Sequence, residues 1–354
     1  MSARHRKQIN IMRVIQGRIL RGVYTDKIPG ERELAKELQT SSLTVNVAIA
    51  KLESLGMVRR VARRGTFVTG RSTRQDACRH LFARLAMSIS FDEGGHGAFW
   101  GEAMIYGFQK AAHERNLHME LVYSEDVDAL VAESVEEARG DMCIGTCLLG
   151  VPLETRHIVQ LGDAAGPIVV ADYEMEEPLV PSLTFDNRNA GHLVGRHLVE
   201  LGHRVIALAS DYGVGRNQRQ RLAGTREWVE RTGGTIATDE LGLGESNLDY
   251  LRRLFNHPLR PTAIVCSSIS MARVFCKYAD ATGVKIPEEV SVASFGDGIA
   301  QLSGGVTHTE LDNVGFGGQS LEMLFDEELQ ANPRREFFPV TLAKDTSTGP
   351  APQR

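Results

Sequence analysis

The sequence predicts an α/β protein made of a small basic winged helix-turn-helix followed by a larger two-lobed domain with parallel sheets. Helical apolar spacing and then two short β-like runs occupy the first 70 residues. Short apolar runs alternate with helical stretches along most of the remaining chain. Residues 1–71 hold 15 basic and 5 acidic residues, a charge of +10, whereas the rest carries −15. A basic head on an acidic body is expected to meet a polyanion.

The composition is that of an ordinary globular protein, since the 354 residues are 42% hydrophobic and 24% charged. No apolar run has the length of a membrane span, and no apolar stretch follows the basic N-terminus. We therefore expect a cytoplasmic protein with no membrane partner. The five cysteines are scattered and lack histidine or cysteine partners at zinc spacing, so we expect reduced thiols, no metal and no cofactor.

Three helices are predicted in the head. The first carries an apolar stripe at Ile11, Ile15 and Ile19, and the second covers 31–38 after Pro29 and Gly30. The third follows Ser41 and Ser42, which are good N-cap residues. Its apolar positions, spaced by three and four, are Val45, Ala48, Ile49, Leu52 and Leu55. Two β-like runs, 57–61 and 66–68, then flank a basic turn.

A winged helix places the N-terminal residues of its third helix at base edges in the major groove. The short polar residues Ser41, Ser42, Thr44 and Asn46 suit such contacts. For both serines, plain helix capping is an equally good interpretation.

The tip of the wing carries Arg63 and Arg64, which we expect to contact phosphate or the minor groove. The alternative for this pair is an exposed turn with no partner.

Four segments of the head resemble the GntR winged-helix domain, over about residues 8–69. They are Ile-Pro-Gly-Glu-Arg-Glu-Leu-Ala (28–35), Ser-Ser-Leu-Thr-Val-Asn-Val-Ala (41–48), Leu-Glu-Ser-Leu-Gly-Met-Val (52–58) and Arg-Arg-Gly-Thr-Phe-Val (63–68). The resemblance implies DNA contacts by Arg32, by Thr44 and by the wing around Gly65. Ser42 and Asn46 stand where members of the family usually carry arginines that help to read bases.

The body alternates strand and helix candidates. The strand candidates are 119–123, 142–149, 167–171, 205–210, 263–266 and 290–295. The helix candidates are 101–116, 187–201, 217–232, 269–282 and 315–330. This alternation predicts parallel sheets covered by helices, and the length favours two lobes with a cleft. Ligands in such folds lie beyond the carboxyl ends of the strands.

Enzyme signatures are absent from the sequence. It contains no dinucleotide-binding glycine fingerprint, phosphate-binding P-loop, His-Glu-x-x-His zinc motif or serine nucleophile elbow at a strand end. The histidines are dispersed, and His203 is expected to complement the dipole at a helix end. We therefore predict no catalytic residues.

The body resembles the effector-binding domain of LacI/GalR regulators, which share their fold with periplasmic sugar-binding proteins. The resemblance covers most of 88–340. It rests on six segments: 185–191, 197–207, 220–225, 261–266, 283–292 and 310–318. Phe-Asp-Asn-Arg-Asn-Ala-Gly and Gln-Arg-Leu-Ala-Gly-Thr are the first and third of these. A GntR head on such a body is similar to the arrangement of AraR-like regulators.

The resemblance implies that Arg221 reaches into the cleft and grips the effector. A guanidinium suits this role because its planar fork binds two hydroxyls or a carboxylate. The alternative for Arg221 is an exposed cation on a helix. Phe99 and Trp100 stand where the family often has an aromatic residue facing the ligand, although core packing would look the same.

Two further candidates, Ser268 and Asp297, occupy positions that depart from the family. An Asn-Asp pair that usually holds sugar hydroxyls is replaced by Ser268 and Ile269. The first carboxylate of an Asp-Asp pair is replaced by Gly296, which leaves Asp297. A sugar or sugar derivative is one candidate effector.

Taken together, these patterns predict a homodimeric repressor that binds an inverted repeat in double-stranded operator DNA and responds to a small polar effector. Its parts are the winged helix at 1–70, a linker at 71–86 and the periplasmic-binding-protein-like sensor at 87–345. A transport binding protein is one alternative, against which the basic head and the missing signal peptide argue. An enzyme fused to a GntR head is another, and it predicts a bound chromophore.

Overall fold

The computed structural model describes residues 3–69, 81–88, 101–175, 178–210, 215–240, 249–250, 252–253, 257–296 and 304–353. The chain divides into two compact units. The first comprises Met1–Thr184 and Asn313–Glu336, and the second comprises Phe185–Asp312 and Phe337–Arg354. The winged helix belongs to the first unit.

The winged helix has the three helices and the hairpin that the sequence predicted. Its elements are α1 (Ala3–Leu20), α2 (Glu31–Glu37), α3 (Ser42–Ser54), β1 (Val58–Val61) and β2 (Gly65–Val68). The two strands pair antiparallel, with Val58 opposite Val68 and Val61 opposite Gly65. The isoleucine stripe of α1 is buried, and α1 packs against α3 as its four-residue period predicts.

The rest of the first unit contains a six-stranded sheet in the order β13-β7-β6-β5-β3-β4. Its strands are β3 (Phe82–Ser88), β4 (His118–Ser124), β5 (Cys143–Leu149), β6 (Ile168–Ala171), β7 (Ser182–Phe185) and β13 (Arg335–Phe338). Pairing between β4, β3, β5, β6 and β7 is parallel. The helices are α4 (Glu102–Glu114), α5 (Val127–Glu137), α6 (Thr155–Gly162), α10 (Asn313–Glu322) and α11 (Glu327–Ala331).

Strand β3 corrects the predicted linker at 71–86. It begins at Phe82 and lies inside the sheet between β4 and β5, so the sensor starts before residue 87. Arg84 interrupts the apolar run of this strand, and its side chain is only 4% exposed. Its guanidinium contacts Glu120 at 2.8 Å and Glu133 at 3.1 Å, and these carboxylates compensate the buried charge.

The second unit holds another six-stranded sheet, in the order β14-β12-β11-β10-β8-β9. Its strands are β8 (Val205–Ser210), β9 (Thr235–Glu240), β10 (Ala263–Cys266), β11 (Ser291–Phe295), β12 (Thr307–Glu310) and β14 (Thr341–Ala343). All pairs are parallel except the antiparallel pair of β12 and β14. The helices α7 (Asn187–Glu200), α8 (Arg216–Arg231) and α9 (Ile269–Thr282) follow their predicted spans within one or two residues.

Two other predicted boundaries were wrong. The helix expected at 315–330 is broken into α10, a 3₁₀ turn at Met323–Phe325 and α11, because the Asp326 carboxylate accepts from the Leu329 amide and starts a new helix. The sensor also continues past residue 345. The Ser347 hydroxyl donates to the carbonyl of Val292 at 2.6 Å, which ties the C-terminal segment to β11.

Candidate DNA-contacting face and effector site

The start of α3 is set by a capping interaction. The Ser41 hydroxyl accepts from the Thr44 amide at 3.1 Å, and the two side-chain oxygens lie 2.8 Å apart. Thr44 is 8% exposed. Ser41 therefore has the capping role that was one of its two interpretations, and the Thr44 hydroxyl belongs to the same cap. Contact of these two residues with DNA remains a prediction.

The exposed side of α3 carries Ser42, Leu43 and Val47. Leu43 is 57% exposed and Val47 is 39% exposed, so both apolar side chains are open to a partner on this side of α3. Asn46 is half-buried, and its side-chain amide donates to Glu31 at 2.8 Å, so it also braces α3 against α2. Sequence reasoning missed Val47, although its four-residue spacing from Leu43, off the buried stripe, was a signal. Apolar side chains at such positions suit thymine methyl groups.

The wing presents Arg63 and Arg64 at its exposed tip. The Arg64 amide donates to Val61 at 3.0 Å and closes the turn. Arg63 has a φ of 62°, and Gly65 has a φ of 110°, where a Cβ would also lie 2.7 Å from Lys27 Cε. Glycine is therefore required at 65. The turn that it allows keeps the side chains of both arginines exposed at the tip of the wing.

Arg32 lies exposed on α2. The head thus has exposed cations on α2 and on the wing, and exposed short and apolar side chains on α3. This combination is suited to binding double-stranded DNA, because cations bind phosphates and the exposed side of a helix such as α3 is able to enter the major groove.

In the second unit, Arg221 is buried rather than an exposed helix cation, with 9% exposure. Its Nε donates to Asn187 Oδ1 at 2.7 Å, and its Nη1 lies 3.4 Å from the carbonyl oxygen of Gly296. Asn187 is the first residue of α7, and Gly296 follows the carboxyl end of β11. The guanidinium therefore lies at the edge of the sheet where ligands of this fold class bind.

Asn187 is a candidate that sequence reasoning missed. Its side chain is 2% exposed, and its Nδ2 has no acceptor among the described residues. A buried amide donor without a partner is costly in a folded protein, which makes it a candidate ligand contact. Only its place inside the segment that also contains the α7 cap, Asp186, hinted at this role.

Ser268 lies at the same edge, two residues after the end of β10. Its hydroxyl accepts from the Met271 amide at 3.2 Å and caps α9. Capping is therefore its observed role, and effector contact remains a prediction. Phe99, Trp100 and Asp297 lie outside the described residues.

Two glycines bring α8, and with it Arg221, against α7. A Cβ on Gly191 would lie 2.0 Å from the carbonyl oxygen of Arg221, and one on Gly224 would lie 2.1 Å from that of Arg188. The Thr225 hydroxyl donates to Gly191 at 3.1 Å across the same crossing. The backbone of α8 is therefore held at a distance that only glycine allows.

None of the described helices is both long and apolar enough to cross a membrane.

Comparison with known proteins finds a family match for each of the two parts of the chain. Residues 9–68 match the family of bacterial regulatory proteins called the gntR family, and residues 196–348 match the periplasmic binding protein-like domain. The arabinose metabolism transcriptional repressor of Geobacillus stearothermophilus is 24% identical over 301 residues, covering 77% of this chain and 76% of the repressor. The repressor PurR of Photobacterium profundum is 24% identical over 178 residues, covering 49% of this chain and 53% of PurR.

Solved structures share the fold of the body. A LacI family transcriptional regulator from Enterococcus faecium with bound ribose has a TM-score of 0.60 at 16% identity, covering 75% of this chain and 99% of that one. The dimeric Lac repressor with an 11-residue C-terminal deletion has a TM-score of 0.61 at 21% identity, covering 77% and 100%. The chain is therefore a ligand-responsive transcription regulator that joins a GntR-type winged helix to a periplasmic binding protein-like sensor.

Proposed function

We propose that this regulator represses transcription as a homodimer, binds an inverted repeat in double-stranded operator DNA, and acts in the cytoplasm. The observation that carries the proposal is that one chain contains both a candidate DNA-contacting face and a candidate effector site. The winged helix exposes the groove side of α3 and the arginines of its wing, and the sensor buries Arg221 at the carboxyl edge of a parallel sheet. A sensor coupled to a DNA-binding head is a regulator, so the proposal includes no catalytic step and no cofactor.

The effector site is built for a small polar molecule. The Arg221 guanidinium is a donor, and so is the Nδ2 of Asn187, which has no acceptor among the residues that the structure describes. They favour ligands rich in acceptors, such as hydroxyls or a carboxylate. The Geobacillus relative is named for arabinose metabolism, and the Enterococcus structure holds ribose. Sugars, sugar acids and sugar phosphates are therefore the first classes to test.

Effector control requires that the ligand prefers one conformation of the sensor. A ligand that binds two conformations equally well changes nothing, however tightly it binds. We expect a coupling of about 1–3 kcal/mol, which corresponds to roughly 5- to 150-fold in operator affinity. Two winged helices per operator are needed because one such head buries too little surface for tight specific binding.

The test compares Arg221→Ala and Arg221→Lys with wild type by calorimetry against those three ligand classes, followed by gel shifts with any ligand found. Arg221→Ala should lose effector binding, and Arg221→Lys should also bind weakly because an ammonium lacks the planar fork. Effector-free operator binding should stay within about threefold, because Arg221 lies in the sensor. Arg196→Ala, an exposed residue of α7, is the matched control.

Two results would contradict the assignment. If Arg221→Ala binds the ligand as tightly as wild type, the site lies elsewhere. If it loses operator binding without ligand, Arg221 is a structural residue. The proposed dimer would be wrong if light scattering showed a monomer that still binds a single half-site.

A further inference from the structure

The winged helix contacts the remainder of the first unit through side chains that DNA recognition does not use. We call that remainder, described at 81–88, 101–175, 178–184 and 313–336, the first lobe. Arg13 on α1 is 7% exposed, and its Nη2 donates to the carbonyl oxygens of Gly140 at 2.7 Å and Cys143 at 3.0 Å. Gly140 lies in the turn between α5 and β5, and Cys143 is the first residue of β5. Arg13 is therefore inserted into the first lobe.

Two more contacts hold the same head. Arg18 on α1 binds Glu327 at 3.0 Å, and Arg21, directly after the end of α1, binds the same carboxylate at 2.5 Å. Lys51, near the end of α3, forms an ion pair with Asp141. Three contacts that involve two helices of the head and two segments of the first lobe restrict rotation about any single one.

The contact is polar and incompletely packed, which distinguishes it from a core. A cavity of about 280 Å³ lies between α1 and the first lobe, lined in part by Val14, Ile144 and Leu324. Arg13 Nε and Nη1 are buried and have no hydrogen-bond partner among the described residues. Burying such atoms is unfavourable, so undocking returns part of this cost when Arg13 is rehydrated. The contact therefore depends on a few polar side chains, so a single substitution is able to release it.

Docking leaves the DNA-binding surface open. Ser42, Leu43 and Val47 on α3 and both arginines of the wing tip stay exposed with Arg13 inserted. The docked head is thus able to meet DNA, and its direction is set by the first lobe rather than by the connecting segment alone.

We propose that the first lobe holds each winged helix in one orientation through Arg13, and that this docking selects the half-site spacing that the dimer accepts. The inference rests on the proposed binding of an inverted repeat by a dimer. Two heads with fixed directions fit one spacing, because adding two base pairs turns a half-site by about 70° around the duplex. Heads on a free tether would tolerate several spacings. Arg13 is a positioning residue in this scheme, since it acts without touching DNA.

Gly166 in the first lobe offers a specific way to break the docking. A Cβ at this position would lie 1.2 Å from Arg13 Nη1 and 2.9 Å from the carbonyl oxygen of Ala138. Gly166→Ala must therefore expel the guanidinium and slightly shift the first lobe around Ala138, while the sequence of the head stays unchanged. Arg13→Met reaches the same contact from the head side. Gly17→Ala is the matched control at the same interface, because its Cβ would lie at an ordinary 3.7 Å from Phe325 Cδ1.

The experiment selects binders from a randomised duplex library with the full-length wild type and each variant, and reads the spacing between the enriched half-sites. Wild type and Gly17→Ala should enrich one spacing. Gly166→Ala and Arg13→Met should enrich the same half-site sequence at several spacings. On duplexes displaced by two base pairs from the optimum, wild type should lose about 100-fold in affinity and the two variants less than about tenfold. Hydrogen exchange of α1 should rise in both variants, which reports undocking.

Several outcomes would overturn the inference while leaving the proposed function intact. They are a wild type that enriches several spacings, undocked variants that keep a single spacing, and variants whose α1 exchange is unchanged. If Gly166→Ala does not fold, Arg13→Met alone decides by the same readouts. If wild type enriches no inverted repeat, the proposed function fails, and the inference fails with it.

Discussion

At the scale of single residues, His203 is buried and therefore does not have the role that its position after a helix suggested. It was expected to act as a cation at a helix end, and this expectation was wrong. The ring is fully buried, with Nδ1 at 2.9 Å from the Thr262 hydroxyl and Nε2 at 3.0 Å from that of Ser291. Burial lowers the pKa of His203, and it also lowers the pKa of neighbouring His197. Burial therefore disfavours the protonated form of both rings.

This burial predicts a loss of stability in mild acid. Below an ordinary histidine pKa of 6.5, the unfolded chain takes up protons that these buried rings do not. The stabilisation is complete above that pH and is lost as the pH falls through it, by up to about 1.4 kcal/mol per pH unit for each histidine. Denaturant midpoints at pH 7.5 and 5.5 measure the loss, which His203→Gln should reduce by about half. His113→Gln, exposed on α4, should leave it unchanged. An equal acid-induced loss in His203→Gln would count against this explanation.

At the scale of elements, the crossing of α7 and α8 determines where the candidate effector site lies. Gly191 and Gly224 each face the backbone of the other helix at a distance that admits no Cβ. Sequence periodicity predicted both helices, because each buries a regular stripe. It did not predict their separation, since a glycine in a helix has no side chain to mark a face.

Gly191→Ala should therefore displace α8 and carry Arg221 away from Asn187. Backbone atoms are the obstacle, so relief requires a helix shift rather than a rotamer change. We expect a destabilisation of about 1–3 kcal/mol and a loss of effector binding of about tenfold or more. Thermal denaturation and calorimetry measure the two effects. Gly318→Ala on α10, whose nearest non-local neighbour would be 3.7 Å away, is the control that should retain both. Wild-type effector affinity in Gly191→Ala would show that this crossing does not position the site.

At the scale of the whole molecule, the +10 charge of the head is larger than the number of cationic side chains available to DNA would suggest. Arg13, Arg18, Arg21 and Lys51 face partners in the first lobe instead. The exposed arginines of α2 and the wing remain for phosphate contact. We therefore expect a salt dependence set by this smaller group of cations.

The logarithm of the operator association constant should fall linearly with the logarithm of salt concentration, by about 0.9 per phosphate contact. Arg64→Ala and Arg63→Asn should each make this slope shallower by about one contact per head. Asparagine is chosen at 63 because it tolerates the left-handed backbone there. Arg21→Ala should leave the slope unchanged. Fluorescence anisotropy across a salt series measures the slopes, and an effect of Arg21→Ala equal to that of Arg64→Ala would contradict this division.

Short-range patterns in the sequence determined the winged helix, the alternation of strands and helices and the regulator class, because helical stripes, glycine turns and charge blocks are local. Tertiary structure decided what local patterns cannot record. Strand β3 was missed because Arg84 interrupts it, and its compensating glutamates lie on β4 and α5. The ion pair of Arg18 joins residues 309 positions apart, and Arg13 reaches carbonyls more than 120 positions away. Burial of Arg221 likewise depends on Asn187, 34 positions earlier. The sequence does not reveal the partner of a charged residue. Only the folded structure decides whether that residue is available to DNA or an effector, or is paired within the protein itself.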